Sequence, residues 1–160
     1  MVAANEQDQE VVSPAEQSLY TIEQVATRTG LTKRTLRYYE EVGLLPPAGR
    51  TEGNYRRYSE ADAQRIERVK ELRNLLGFTL TEIRELLEAE DERGQIKEAY
   101  QQETDAAGKI AQLERADEVI HRQLHLIEQK QAGLEQMRAS LLVKLKKHEN
   151  TRNELQNKNI

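Results

Sequence analysis

Residues 20–45 read YTIEQVATRTGLTKRTLRYYEEVGLL, and this stretch carries the clearest structural signal of the sequence. Thr21 is followed three residues later by Gln24, which is the spacing of a capping box at a helix start. Gly30 is suited to end that helix, and Thr32 is suited to cap a second one. Two short helices joined by a tight turn are typical of a helix-turn-helix, whose second helix lies in the major groove of DNA.

The residues that follow predict a hairpin. Pro46 and Pro47 end helical structure, and residues 48–58 (AGRTEGNYRRY) contain two glycines and an asparagine. This composition favours two short extended segments around a turn at residues 52–54. We therefore expect a β-hairpin, or wing, directly after the second helix.

Two further helices are predicted after the wing. Ser59 caps the first of them, which is expected to bury an apolar face and to run to about Leu76. The next is capped by Thr79 or Thr81 and is expected to end near Glu90. Gly94 then favours a break in the chain.

The second half of the chain carries a heptad repeat. Apolar residues recur every seven positions, which predicts a coiled coil that pairs two copies of the chain. Polar residues at Asp117, Gln131 and Arg138 are expected to set the register at a cost in stability. The repeat indicates pairing without fixing the orientation, and no strong turn signal favours a helix that folds back on itself. The predicted interface residues are Ile110, Leu113, Ile120, Leu124, Ile127, Leu134, Leu141 and Leu145.

The predicted fold is mainly α, a winged helix-turn-helix followed by a long coiled-coil dimerisation helix. The predicted segments are an acidic disordered tail at 1–18, the DNA-binding domain at 19–90, a connector at 91–103, the dimerisation helix at 104–150 and a frayed polar tail at 151–160.

Composition excludes several classes of protein. The chain has 160 residues and no cysteine, so disulfides, thiolate metal sites and thiol redox sensing are excluded. It contains neither a long apolar run nor a signal peptide, so we expect a cytoplasmic protein without a membrane span. The net charge of −4 conceals a pattern, because residues 20–59 hold seven Lys/Arg against four Glu. A local basic excess of this kind is expected of a DNA-binding surface.

Catalytic and metal sites are not predicted. His121 and His125 share one helix face, but no third ligand lies in register, so they are interpreted as surface residues. No phosphate-binding loop, nucleophile arrangement or paired catalytic carboxylates occur. We therefore expect neither an enzyme nor a cofactor.

The order of motifs over about 70 residues resembles the MerR family of bacterial transcription regulators. The matching motifs are Leu36-Arg37-Tyr38-Tyr39-Glu40, Gly43-Leu44-Leu45, Tyr55-Arg56-Arg57-Tyr58, Leu76-Gly77-Phe78 and Thr79-Leu80.

The candidate DNA contacts lie at a helix start, on the recognition helix and in the wing. Tyr39 is interpreted as a core residue, whereas Arg37 and Tyr38 are the favoured groove or phosphate contacts. One of Arg56 and Arg57 is open to pairing with a glutamate of the third helix, since strand side chains alternate. Lys33 and Arg34 also fit an ordinary solvated face. The candidates are Thr21, Thr32, Lys33, Arg34, Thr35, Arg37, Tyr38, Asn54, Tyr55, Arg56 and Arg57.

The resemblance implies a homodimer on an inverted-repeat promoter site, with antiparallel long helices and RNA polymerase as a further partner. Such regulators bend and untwist the promoter spacer. The cysteines of the family's metal and superoxide sensors are missing, as is an appended ligand domain. Either an effector binds between coil and module, or there is none. The alternatives are a structural, chromosome-organising DNA-binding protein whose coil recruits a partner and, less favoured, a coiled-coil adaptor without DNA binding.

Overall fold

The computed structural model describes residues 19–158, which form two compact units divided after Arg84. The predicted tail at 1–18 and the last two residues lie outside the described part. Within residues 19–158, no helix combines the length and apolar character that crossing a membrane requires.

The N-terminal unit contains three short strands and three helices, with the beginning of a fourth. Its three-stranded antiparallel sheet has the order β1-β3-β2, with Tyr20 opposite Tyr58 and Gly49 opposite Arg57. The two extended segments of the wing are confirmed, but the prediction missed β1, which is only two residues long. The elements are β1 Tyr20–Thr21, α1 Ile22–Thr29, α2 Lys33–Glu41, β2 Gly49–Arg50, β3 Arg56–Tyr58 and α3 Glu60–Asn74.

The predicted helix caps are confirmed. The Thr21 hydroxyl accepts a hydrogen bond from the Gln24 amide at 3.2 Å, and the Gln24 side chain accepts one from the Thr21 amide at 2.8 Å. Thr32 caps α2 by accepting from an amide three residues on. Gly30 has φ of 69°, a left-handed conformation that ends α1 and that glycine adopts without strain. The sequence between the two helices therefore fixes their turn locally.

The core of this unit is assembled from residues of every helix. Leu36 and Tyr39 of α2 are buried, as are Ile66 and Val69 of α3. Burying each such side chain contributes on the order of 1.5–3 kcal/mol to folding. The prediction placed Leu76 on this apolar face, but α3 ends at Asn74 and the Leu76 side chain is 48% exposed.

The predicted connector is helical. Helix α4 runs over Leu80–Gln102, begins at a Thr79 cap and continues through Gly94, so the predicted end near Glu90 was wrong. The break falls instead at residues 103–105, where the Glu103 carboxylate accepts hydrogen bonds from the next two amides. These bonds hold the pKa of Glu103 below its usual value, which keeps the carboxylate charged at the turn.

Helix α5 is continuous over Ala106–Lys158, so a helix folded back on itself is excluded. The predicted fraying from residue 151 is also wrong as far as Lys158. The first half of α5 packs on α4, which the prediction missed: Val119, 1% exposed, contacts Ala89 and Ile96. The heptad residues lie on a different, exposed face of α5.

Candidate nucleic-acid interface

The start of α1, helix α2 and the wing meet at a shallow cleft of about 340 Å³. The cleft brings together six of the predicted DNA contacts, from three separate parts of the sequence. These six are Thr21, Arg37, Asn54, Tyr55, Arg56 and Arg57.

Helix α2 presents one face to the core and another to solvent. Tyr39 is buried, as expected, whereas Tyr38 is 46% exposed and Arg37 is exposed. Apart from Arg37, the candidates of the second helix, including Tyr38, do not line the cleft. Thr32 caps the helix, and its hydroxyl lies 2.9 Å from that of Thr35. The two threonine hydroxyls thus already have partners within the helix start.

Two of the predicted cations are paired with carboxylates. The Arg56 Nε donates to Glu40 Oε2 at 2.9 Å in a half-buried pair, and the Lys33 Nζ lies 2.7 Å from Glu23 Oε1. The glutamate expected to pair with a wing arginine therefore belongs to α2, not to the third helix. Because Arg56 is held against α2, it fixes the wing to that helix.

Three of the candidate arginines keep their positive charge unpaired. Within residues 19–158, Arg34, Arg37 and Arg57 form no ion pair. Arg37 and Arg57 line the cleft. The guanidinium of an arginine is a planar fork of donors that can bind phosphate or guanine. The free positive charge of the unit is therefore concentrated where α2 meets the wing.

Two residues of this surface were missed by the sequence interpretation. Glu23 lines the cleft, and the hydrogen bond from Lys33 holds its pKa below the usual value. Arg50 is exposed on β2, and its guanidinium donates to the Asn54 carbonyl at 3.3 Å. The basic excess of residues 20–59 already indicated Arg50, whereas nothing local indicated that an acid would lie among the cations.

Other basic side chains of the unit hold helix ends rather than face the cleft. Lys70 Nζ donates to the Thr29 carbonyl at the end of α1 at 2.6 Å. The Arg84 guanidinium donates to the Val42 carbonyl at the end of α2. Cations at helix C-termini satisfy free carbonyls and the negative end of the helix dipole. The positive charges of Lys70 and Arg84 are thus directed at carbonyl groups of the protein itself.

An ion-pair network on Glu60 holds α1 and β1 to α3. The Arg28 guanidinium makes two hydrogen bonds to the Glu60 carboxylate, at 2.7 and 2.8 Å, and a third to Glu67 at 3.1 Å. The Tyr20 hydroxyl donates to the same Glu60 carboxylate at 3.0 Å. These donors, Arg28 first, lower the pKa of Glu60 from 4.5 to about 2. The network therefore needs Glu60 in its charged form.

We predict that replacing Glu60 with glutamine (Glu60→Gln) lowers stability in a pH-dependent way. Since the pKa of Glu60 is depressed in the folded protein, its contribution is complete above pH 4.5 and is lost as the pH falls towards 2. Urea unfolding across this range should show the free energies of unfolding of the unaltered protein and of Glu60→Gln converging at low pH. In an Arg28→Ala background, the difference in free energy of unfolding caused by Glu60→Gln should lose most of its pH dependence. A constant difference at every pH would contradict this role of the network.

The histidines of α5 have local partners. His121 Nδ1 lies 2.8 Å from the Asp117 carbonyl oxygen, and His125 Nε2 lies 3.0 Å from the Gln129 side chain. In the described range, no three histidine, aspartate or glutamate side chains are grouped as metal ligands.

Comparison with known proteins places this unit among regulatory proteins. Residues 20–90 match the model of the MerR HTH family regulatory proteins. The chain is 42% identical over 109 residues to the HTH-type transcriptional regulator YfmP of Bacillus subtilis, covering 68% of this chain and 78% of YfmP. It is 38% identical over 104 residues to the HTH-type transcriptional regulator ZntR homolog of Haemophilus influenzae, covering 65% of this chain and 76% of that relative. It is 37% identical over 101 residues to the HTH-type transcriptional activator TipA of Streptomyces coelicolor, covering 62% of this chain and 40% of TipA.

Proposed function

This chain belongs to the MerR family of helix-turn-helix regulatory proteins, and we therefore propose that it regulates transcription as a homodimer on promoter DNA. The observation that carries the proposal is the cleft in which Arg37 and Arg57 lie unpaired beside the start of α1. A helix N-terminus with free amides and nearby arginines is suited to bind phosphate. The relatives YfmP and TipA are themselves named a transcriptional regulator and a transcriptional activator.

Each part of the surface has a distinct role in this proposal. Arg37 and Tyr38 of α2 face the major groove, while Thr21 and Arg57 hold the flanking backbone. Tyr55, at 73% exposed, extends from the wing and contacts the backbone or the minor groove. Lys33 exchanges its contact with Glu23 for a phosphate, since both are surface groups and such pairs are weak.

The homodimer is supported by α5. This helix is 53 residues long, and its predicted interface residues are exposed in a single copy. A contiguous apolar stripe of this length is typical of a surface that binds another helix. Two copies then bind two half-sites of an inverted repeat.

We propose that regulation acts by deforming the DNA between promoter elements, with RNA polymerase as the further partner and the cytoplasm as the location. Bending and untwisting a promoter spacer changes the alignment of elements that the regulator does not contact. No effector is assigned.

The proposal is tested by selecting bound sites from random double-stranded DNA and footprinting the best one. A single inverted repeat of fixed spacing is expected, with affinity that falls steeply as salt rises. The matched control is a variant in which Arg34, Arg37 and Arg57 are all alanine, which should enrich no site. Weak and degenerate enrichment by the unaltered chain would favour a structural, chromosome-organising role instead.

A further inference from the structure

The tip of the wing is a tight turn that holds the backbone of Tyr55. The Asn54 amide donates to the Thr51 carbonyl at 2.8 Å, and the Thr51 amide donates to the Tyr55 carbonyl at 3.0 Å. The Tyr55 amide in turn donates to the Thr51 hydroxyl at 3.3 Å. Both backbone groups of Tyr55 are therefore bonded within the turn, which fixes the point from which its side chain leaves the wing.

The side chain of Tyr55 is open to solvent, yet its ring has a close neighbour on one side. The residue is 73% exposed and lines the cleft between the wing and α2. One edge of the ring lies over Gly53. A methyl group at the Cβ position of residue 53 would be 2.9 Å from Cε2 of the ring and 3.0 Å from Cδ2. Since carbon atoms in good contact are about 3.5–4.0 Å apart, the ring occupies space that a side chain at residue 53 would fill.

Backbone conformation does not account for a glycine at position 53. The left-handed residue of the turn is Asn54, with φ of 61°, and Gly53 lies outside that region. Asparagine tolerates the left-handed conformation better than most residues. Alanine at position 53 would therefore meet no strain from a left-handed φ, and the two atoms nearest to its Cβ would both belong to the Tyr55 ring.

We propose that Gly53 is a positioning residue for DNA binding, which acts through Tyr55. Its missing side chain seats the ring against the wing, so that Tyr55 is oriented at the cleft before DNA binds. The proposal rests on the proposed function, in which Tyr55 contacts DNA, and adds the residue that orients this contact. A ring that is fixed in advance loses less conformational entropy on binding than an exposed ring that rotates freely.

Alanine at position 53 is expected to turn the ring and to leave the wing folded. The Tyr55 backbone is held by two hydrogen bonds, whereas its exposed side chain has other staggered positions about χ1. Replacing glycine with alanine at an unstrained position also restricts the unfolded chain, which favours folding. We therefore expect Gly53→Ala to unfold thermally at or above the temperature of the unaltered chain, while its affinity for DNA falls. General damage to the wing would lower both.

A double-mutant cycle on the selected DNA site tests whether Gly53 acts through Tyr55. Titration of labelled DNA measures the dissociation constants of the unaltered full-length chain, the two single variants and the double variant. Tyr55→Ala is expected to raise the dissociation constant at least about fivefold, the equivalent of one net hydrogen bond, and Gly53→Ala by a comparable factor. In the Tyr55→Ala background, Gly53→Ala should have no further effect. The nearest atom left to the added methyl group is then the Thr51 hydroxyl oxygen at an ordinary 3.8 Å.

Gly49→Ala is the matched control, because it makes the same change in the same hairpin. Its added methyl group would lie 3.9 Å from the nearest atom, the Arg57 carbonyl oxygen, so the affinity of the unaltered chain is expected. Unchanged affinity in Tyr55→Ala or in Gly53→Ala would overturn the proposal and leave the proposed function intact. Additive effects in the double variant, a lower unfolding temperature for Gly53→Ala, or an equal loss of affinity in Gly49→Ala would do the same. If the unaltered chain selects no DNA site, the proposed function fails as well.

Discussion

Replacing Arg37 with alanine (Arg37→Ala) is expected to weaken binding to the selected DNA site by about 1–3 kcal/mol. Arg37 is exposed on α2, lines the cleft beside the wing and has no ion pair among the described residues, so its charge is available to DNA. Its buried helix neighbour Leu36 fixes the face on which it lies. Titration of labelled site DNA with the two proteins measures the difference.

Arg37→Lys separates the two roles open to this side chain. Lysine keeps the charge but not the planar fork of donors, so it retains a phosphate contact and loses a bidentate contact to a base. If Arg37 contacts phosphate, Lys is expected to restore affinity, and Ala lowers the salt slope by about one. If Arg37 contacts a base, Lys fails and discrimination at one position relaxes. Arg68→Ala, on α3 beside Glu71, is the control for net charge. Full affinity in Arg37→Ala would exclude both roles.

The helix-turn-helix was predictable because its signals are local. A cap such as that of Thr21 joins atoms three residues apart, and a left-handed glycine such as Gly30 ends a helix through its own backbone. The burial of Leu36 and Tyr39 follows equally from helical periodicity. Each of these features requires no knowledge of the rest of the chain.

The continuation of α4 was not predictable from local preference. Gly94 costs the helix about 1 kcal/mol, which favoured a break. The structure offsets this cost by burying Ile96 and Ala89 against Val119, and burial of an isoleucine alone contributes about 1.5–3 kcal/mol. Those partners lie more than 20 residues away in sequence, and the heptad signal drew attention to a different face of α5.

The ion pairs of the candidate site were also not predictable from local preference. Arg56 pairs with Glu40 and Lys33 with Glu23, and each pair joins two separate elements. Several glutamates stand at comparable distances in sequence, so residue type alone left the partner of a wing arginine open. The sequence therefore predicted six of the residues that line the cleft, while the structure was needed to separate the paired cations from the free ones.

Removing α5 by ending the chain after Glu103 is expected to give a monomer whose affinity for the selected site falls on the order of 100-fold or more. The physical reason is that a dimer binds its second half-site at a high effective concentration, which a monomer loses entirely. The N-terminal unit contains its own buried core and caps, so its helix content should persist. Sedimentation and DNA titration of the shortened and complete chains measure the two effects.

The truncation also removes the packing of Val119 on Ile96 of α4. A second variant therefore tests the same prediction without that loss. Ile120→Lys with Ile127→Lys leaves α5 in place but puts two charges into the heptad core, where lysines destabilise pairing. The residues that line the cleft are unchanged in this variant, so the affinity for a single half-site should stay that of the unaltered unit. The same loss of dimer and of affinity for the full site is expected. If either variant remained a tight dimer, another surface would be the main interface, and the two half-sites would be joined without the coil.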